Sequence, residues 1–300
     1  MGGAREPILW VLNLDADLEL ADPGHTTSKA DRAHMAPFVE RVARTLPRED
    51  RVLDAGDDAA GRCGRAWCPT PKARRALERA GARVPDTPPV EVLRVANERG
   101  LSSAIARLPH AVACGTLAEA EAALARPCPL PGSRGRWWVQ RGFTFAGRGQ
   151  RAIEGGALRD ADLGWLRAWL EPELQARTSV PRRLYVSPFV PVLLEVALHG
   201  HRDRSGAVRR GRPTVQTVDR HGQWEATRRA DGALSADERC ALDRAFDAVA
   251  AALGEAGYFG PFGLDAFRWR GPDGAPRLHA PSEINARYTM GYPVGMGGWD

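Results

Sequence analysis

The stretch "SEINARYTMG" (282–291) sets a carboxylate, Glu283, two residues before a carboxamide, Asn285, with a guanidinium, Arg287, two further on. In a β-strand, side chains two apart point to the same face. A second acid, Asp265, lies upstream in "FGLDAF" and is joined to this run through "RGPDGAP", a Pro/Gly turn of the kind that closes an antiparallel pair. If the two runs pair about that turn, Asp265 comes across from Glu283 and Asn285, and three oxygen donors converge. Mg²⁺ (or Mn²⁺) takes a few such oxygens and completes its octahedron with substrate phosphate oxygens. The competing reading is a solvated strand face with ordinary acids. The apolar neighbours speak against it, because a carboxylate in such surroundings is costly unless something pairs it.

Two further stretches suit a nucleotide. "FTFAGRGQR" (143–151) puts Gly147 and Gly149 around Arg148 between strand-like segments, and small residues let backbone N–H groups approach phosphate oxygens. It is not a P-loop, and it does not lead into a helix as a dinucleotide fingerprint does. In "YVSPFV" (185–190), Ser187, Phe189 and Val190 surround Pro188. A strand broken there can offer backbone groups to an adenine edge while Phe189 covers the ring; a plain bend between strands is the alternative. His199 and His201 read as strand-end surface residues, and His279 as a packing residue or a neighbour of the site. The basic run 202–212 reads as a solvated hairpin loop, with Arg212 best placed to reach an acidic substrate or a phosphate.

The elements that must hold these residues alternate. "PILWVLNLD" (7–15) reads as a buried strand, 29–46 as a helix, 51–56 as a short strand and 70–85 as a helix with Pro at its start and Gly at its end. Further helices are predicted from near Val90 and over 116–125. This alternation argues for an α/β lobe. After the Pro/Gly linker 126–135, the pattern becomes strand, glycine loop and strand (136–156), then a helix over about 160–177. Strand, hinge and strand follow over 182–200. A hairpin around His221-Gly222 is predicted over 211–224. A helix over 235–257 carries a capping box of Ser235 and Glu238, and the paired strands fill 262–288. The Gly-rich tail 291–300 reads as an irregular segment.

Composition sets the bounds. A chain of 300 residues with 43% hydrophobic residues suits two or three compact lobes. No apolar run approaches the roughly 18 residues of a bilayer span. The N-terminal apolar run is followed directly by acids, unlike a signal peptide, so a cytoplasmic protein is expected. Five scattered cysteines without a CxxC read as reduced structural thiols. The net charge of +5 comes almost wholly from Arg, with Lys only at 29 and 72. It suits anionic ligands but is too diluted to indicate nucleic acid binding.

Taken in order, an α/β lobe, a glycine loop between strands, a hinge, a long helix, an Asp strand and Glu-x-Asn resemble the ATP-grasp family. "FGLDAF…SEINARYTMG" resembles its paired metal strands, "WVQRGFTFAGRGQ" its phosphate loop and "VSPFV" its adenine hinge. The resemblance runs from about residue 90 to 295. It implies an α+β fold with a pre-ATP-grasp lobe over 1–110, a central lid lobe over 111–187 and a C-terminal antiparallel-sheet lobe over 188–300. It implies ATP and Mg²⁺ as cofactors, with Asp265, Glu283 and Asn285 as metal ligands. Gly147, Arg148 and Gly149 would close over the phosphates, and Ser187, Phe189 and Val190 would meet the adenine. Glu195 would take a ribose hydroxyl. Arg287 would stabilise the transferring phosphoryl group, and Arg212 would be a second catalytic arginine. The reaction implied is ligation of a small-molecule carboxylate, through an acyl phosphate, to an amine or thiol. A homodimer is a fold-level expectation.

The sequence departs from the family at three positions, one of them the hinge, which lacks the family's acid and has Ser187 in its place. Where the strand entering the phosphate loop carries a Lys, this chain has Gln140, and Arg141 next to it faces the other way in a regular strand. Arg99 in "VANERG" matches a second family Lys and can supply its charge. Gln140 motivates the alternative that the chain is a degenerate nucleotide- or partner-binding protein.

Overall fold

The computed structural model describes residues 5–54, 56–145, 148–170, 180–218 and 224–299. Three sheets organise them. The first is parallel, in the order β2-β1-β3, from β1 (Ile8–Val11), β2 (Arg51–Val52) and β3 (Cys63–Ala66), with α1 (Ala16–Ala21), α2 (Lys29–Ala43) and α3 (Pro71–Arg79) between and after them. α4 (Val90–Asn97) and α5 (Arg99–Ile105) lead out of it. The second sheet runs β4-β7-β5-β6 and is antiparallel. It consists of β4 (Val112–Cys114), β5 (Arg136–Phe145), β6 (Arg148–Glu154) and β7 (Leu184–Pro188), accompanied by α6 (Leu117–Leu124) and α7 (Asp160–Leu170).

The third sheet carries most of the predicted chemistry. It contains β8 (Val192–Arg202), β9 (Val208–Arg210), β10 (Thr214–Val218), β11 (Trp224–Arg229), then α8 (Ala236–Glu255), β12 (Gly260–Arg270) and β13 (Pro276–Asn285), followed by α9 (Tyr292–Met296). Its order is β11-β10-β8-β12-β13, with β9 paired to β8. The alternation of β12 seals one face: Leu264 and Ala266, with Val196, Leu198 and Ile284 beside them, are buried in the core that also holds Leu242, Phe246 and Val249 of α8. The other face is left for polar side chains. α8 begins at a capping box in which Ser235 and Glu238 satisfy each other's backbone N–H groups, as the sequence predicts.

Short strands escape sequence reading. β3 is the run Cys-Gly-Arg-Ala, with no apolar alternation, and it is a strand because β1 supplies a parallel partner along its whole length. The tail also departs from the irregular segment expected of it. Residues 292–296 form α9, with Pro293 in its first turn and Gly297 ending it at φ 82°. Tyr292 is fully buried in an aromatic cluster with Tyr288 and Trp299, and that burial holds a Gly-rich segment in a helix. The predicted turn at His221-Gly222 and the last part of the 160–177 helix lie outside the described residues.

Candidate active site

Register builds the acidic face. β12 and β13 pair with Asp265 opposite Glu283 and Gly263 opposite Asn285. β8 pairs with β12 so that Ala197 faces Asp265 and Glu195 faces Phe267, and β10 sets Gln216 opposite Glu195. Residues opposite one another in an antiparallel ladder share a face. One surface therefore gathers Gln216, Glu195, Asp265, Glu283 and Asn285. The β12–β13 ladder slips just beyond: two steps along β12, Asp265 to Phe267, span four along β13, Glu283 to His279. The regular part of the ladder is the part that carries the acids.

Hydrogen bonds fix this face. Asn285 Nδ2 donates to Asp265 Oδ2 at 2.9 Å and Gln216 Nε2 to Asp265 Oδ1 at 3.0 Å. Burial and the neighbouring carboxylates of Glu283 and Glu195 push Asp265 up to about 7. Glu195 is also raised, by burial. Carboxylates held close together with too little compensating charge are the setting in which a bound cation is most favourable. Glu283 keeps a third of its side-chain surface open and pairs with Arg99 at 3.1 Å. Among the described residues no three His, Cys, Asp or Glu side chains form a metal-holding group. The donors here are instead mixed: Asp265, Glu283 and the Asn285 carbonyl oxygen, with Glu195 close by. Such an all-oxygen set fits Mg²⁺.

Arg99 joins two sheets. It opens α5, which packs on β13. It donates to the Ser282 carbonyl at 3.1 Å and to Thr144 Oγ1, in β5, at 3.4 Å. Its Nε is buried with no acceptor among the described residues. The preceding Glu98 is buried, and this raises its carboxyl even though the Tyr185 hydroxyl at 2.8 Å and the Gly100 N–H at 2.6 Å bond to it.

On the lid strands, alternation separates Gln140 from Arg141. Gln140 lies opposite Gln150 and Tyr185 and donates to Gln150 Oε1 at 3.2 Å. Arg141 points to the other side, between Trp165 at 4.7 Å and Trp169 at 4.9 Å. Burial lowers its pKa, as do Arg182 and Arg151 nearby. Arg141 thus packs on α7, turned away from Gln140 as the alternation predicts. Gly149 has φ 84°, a left-handed conformation that favours glycine. Gly147 and the side chain of Arg148 lie outside the described residues.

At the hinge, Phe189 N–H donates to the Arg136 carbonyl at 3.1 Å, so that amide is already committed within the protein. The ring of Phe189 lies 5.7 Å from Trp138 and 4.1 Å beneath the Arg136 guanidinium. Ser187 Oγ donates to the Trp138 carbonyl at 3.4 Å, and Val190 packs against the main core.

Arg287 sits past the end of β13, so period two does not carry it onto the acidic face. Its Nη2 donates to Asp17 Oδ2, on α1, at 2.6 Å. Burial works against both charges, and the pair compensates: Asp17 is raised by burial, whereas Arg287 stays above its ordinary value because of Asp17. Arg212 is exposed, and its backbone N–H donates to the Gly295 carbonyl at 2.8 Å. His199 is not a surface residue. It shares the face of Glu195 and Ala197, but Tyr292 and Gly295 of α9 cover it, leaving 1% exposed, and burial pushes it down to about 4. His279 is likewise pushed down to about 4 by burial, with Phe267 at 5.1 Å.

Sequence reading missed Gln216, Thr144 and Asp17. Gln216 could have been found from the alternation of "TVQTV"; Asp17 gave no signal, because its partner is 270 residues away.

No family model matches the sequence, and no curated protein matches it. Solved structures do. D-alanyl-alanine synthetase A from Vibrio cholerae aligns with TM-score 0.54 and 11% identity, over 97% of this chain and 91% of that one. Biotin carboxylase from Campylobacter jejuni gives 0.53 and 13%, over 97% and 62%. Rhizobium etli pyruvate carboxylase gives 0.53 and 18%, over 97% of this chain and 25% of that one. The chain thus spans a quarter of the pyruvate carboxylase and less than two thirds of the biotin carboxylase. It has the α+β ATP-grasp fold.

Proposed function

We propose that the chain is an ATP- and Mg²⁺-dependent ligase that activates a small-molecule carboxylate as an acyl phosphate and joins it to an amine or thiol. The observation that carries the proposal is the acidic face. Asp265, Glu283 and Asn285 converge on one surface in register, and Arg99 reaches them from the edge while touching the lid strand at Thr144. In this reading Asp265, Glu283 and the Asn285 carbonyl hold Mg²⁺. Bound there, Mg²⁺ would supply positive charge to offset that of the phosphates. Arg99 supplies a fixed positive charge and an unfilled N–H donor for a phosphate oxygen. In the same reading Gly147, Arg148 and Gly149 would close over the phosphates, and the 187–190 hinge would border the base through Phe189. Arg287 lies beside the reacting centre, its orientation set by Asp17. A substrate carboxylate attacks the γ-phosphorus, ADP leaves, and the nucleophile then displaces phosphate from the acyl carbon. The chain's contribution is positioning and charge stabilisation.

A second reading rests on Gln140. Its amide is bonded to Gln150 where the family resemblance implies a Lys, which favours a nucleotide-binding protein without turnover. One experiment separates the two. Incubation with Mg·ATP, a panel of carboxylates and hydroxylamine traps any acyl phosphate as a hydroxamate. A hydroxamate with matching ADP supports the ligase, and ATP binding with no hydroxamate from any acid supports the second reading.

A further inference from the structure

One buried carboxylate takes no part in the acidic face. Glu98 lies between α4 and α5 and caps α5, the helix that opens with Arg99. A carboxylate taken out of water is costly unless its surroundings compensate. Here the compensation comes from two sides. Within α5, the Gly100 N–H donates to Glu98 Oε2 at 2.6 Å. From the second sheet, the Tyr185 hydroxyl lies 2.8 Å from Oε1 and 2.9 Å from Oε2. Arg99 and Arg183 favour the ionised form further.

Glycines make the seat. A Cβ at Gly142, on β5, would overlap Glu98 Oε1, and one at Gly100 would overlap Oε2 and the Tyr185 hydroxyl. The backbone of β5 therefore lies directly against the carboxylate. Gly142 is held there in turn, because its N–H donates to the Arg183 carbonyl at 3.1 Å.

Glu98 and Arg99 meet the same face of β5. Gln140, Gly142 and Thr144 alternate onto one side of that strand. Glu98 rests against Gly142 and bonds to Tyr185, which lies opposite Gln140 on β7. Arg99 donates to Thr144 Oγ1 at 3.4 Å and, on its other side, pairs with Glu283 at 3.1 Å. Two consecutive residues thus tie the lid strands to the acidic face. An apolar side chain would fill the space of Glu98 without the desolvation cost. What the carboxylate adds is direction, since it accepts only where the Tyr185 hydroxyl and the Gly100 N–H point.

We propose that Glu98 is a positioning residue whose carboxylate, seated between Gly100 and Gly142 and bonded to Tyr185, fixes the lid strands on α5 and so holds Arg99 against Glu283. The link between α5 and the lid strands stands on these contacts alone. Its consequence for nucleotide rests on the ligase reading.

The first test needs no nucleotide. Spin labels go on the exposed Cys240 of α8 and on Glu154→Cys, an exposed position of β6, with the half-buried Cys63 replaced by Ser. We expect one narrow label distance when Glu98 is intact. Glu98→Ser still caps α5 but is too short to reach Tyr185, and Tyr185→Phe removes a single oxygen. Each should broaden the distance distribution. Glu98→Gln, which keeps the reach to Tyr185, should restore the narrow one. The proposal is overturned if neither Glu98→Ser nor Tyr185→Phe changes the distribution, or if Glu98→Gln is as broad as Glu98→Ser. If Glu98→Ser does not fold, Tyr185→Phe carries the test. Calorimetry with Mg·ATP then reads the consequence. Glu98→Ser should weaken binding about tenfold, and that factor should fall close to one in an Arg99→Gln background. An equal factor in both backgrounds overturns the claim that Glu98 acts through Arg99. Broadened label distances with no Mg·ATP binding in any of the proteins would support the link and count against the ligase reading.

Discussion

On the β12–β13 wall of the site, Glu195, Asp265, Glu283 and Asn285 share one face of strands whose other face is packed against α8. On the lid wall, Gln140 gives its amide to Gln150, and the neighbouring Arg141 is turned away between two tryptophans. On the first wall, burial and then the neighbouring carboxylates raise Asp265 to about 7. The second offers a neutral amide where a charge would be expected. In the proposed reading, the contrast makes recognition of a cation and recognition of phosphate separable. The acidic face is fixed by strand register, whereas the proposed phosphate side depends on single side chains that can be exchanged without touching the fold.

That contrast can be broken or sharpened by substitution. The largest effect is expected where the first wall is tied to the N-terminal sheet. Asp17→Ala leaves the Arg287 charge buried without its partner, which should cost about 3–5 kcal/mol, read as a lower urea midpoint at unchanged slope. Next comes Glu283→Gln. The amide oxygen still accepts from Arg99, so the fold should hold, while Mg²⁺-dependent ATP binding should weaken by about 100-fold, some 2.7 kcal/mol. Calorimetry and a melting curve on the same sample separate the two effects. On the lid wall, Gln140→Lys should tighten ATP binding by about tenfold, since a charged donor replaces a neutral one. Unchanged affinity would mean that this position does not face the phosphates.

The smallest net effect is expected from pH, because opposing groups titrate in one window. Burial and the neighbouring carboxylates hold Asp265 near 7 in the folded protein, against 3.8 ordinarily, so its contribution to metal-free stability falls as pH rises from about 4 through 7. His199 and His279, pushed down to about 4 by burial, contribute with the opposite sign between about 4 and 6.5. The Asp265 part is read as the difference between the wild-type protein and Asp265→Asn: the variant should lose less stability, or gain more, as pH rises through 7, and Mg²⁺ should offset the Asp265 part by favouring the charged form. Thermal melts across pH 4–9, with and without Mg²⁺, measure both.

The acidic face was legible in the sequence because it obeys local rules. Period two aligns Glu283 with Asn285, and a turn of fixed kind brings Asp265 opposite. The capping box at Ser235 and the inside-outside alternation of Gln140 and Arg141 are legible for the same reason. What was not legible depends on long-range pairing. The face of Arg287 could not be read, because β13 stops at Asn285 and the next contact is with Asp17. The burial of His199 follows from a tail helix that exists only because Tyr292 packs into an aromatic cluster. β3 shows no strand pattern of its own and is a strand only beside β1. At the hinge, sequence could suggest backbone groups for a base but could not reveal that the Phe189 amide is taken by Arg136.

The most direct test of the central claim is calorimetric titration of ATP with and without Mg²⁺, repeated on Glu283→Gln. The account predicts binding to the wild-type protein that requires Mg²⁺ and is weakened about 100-fold in the variant. ATP binding that is absent at millimolar concentration, or is the same in both proteins with and without the metal, would contradict it.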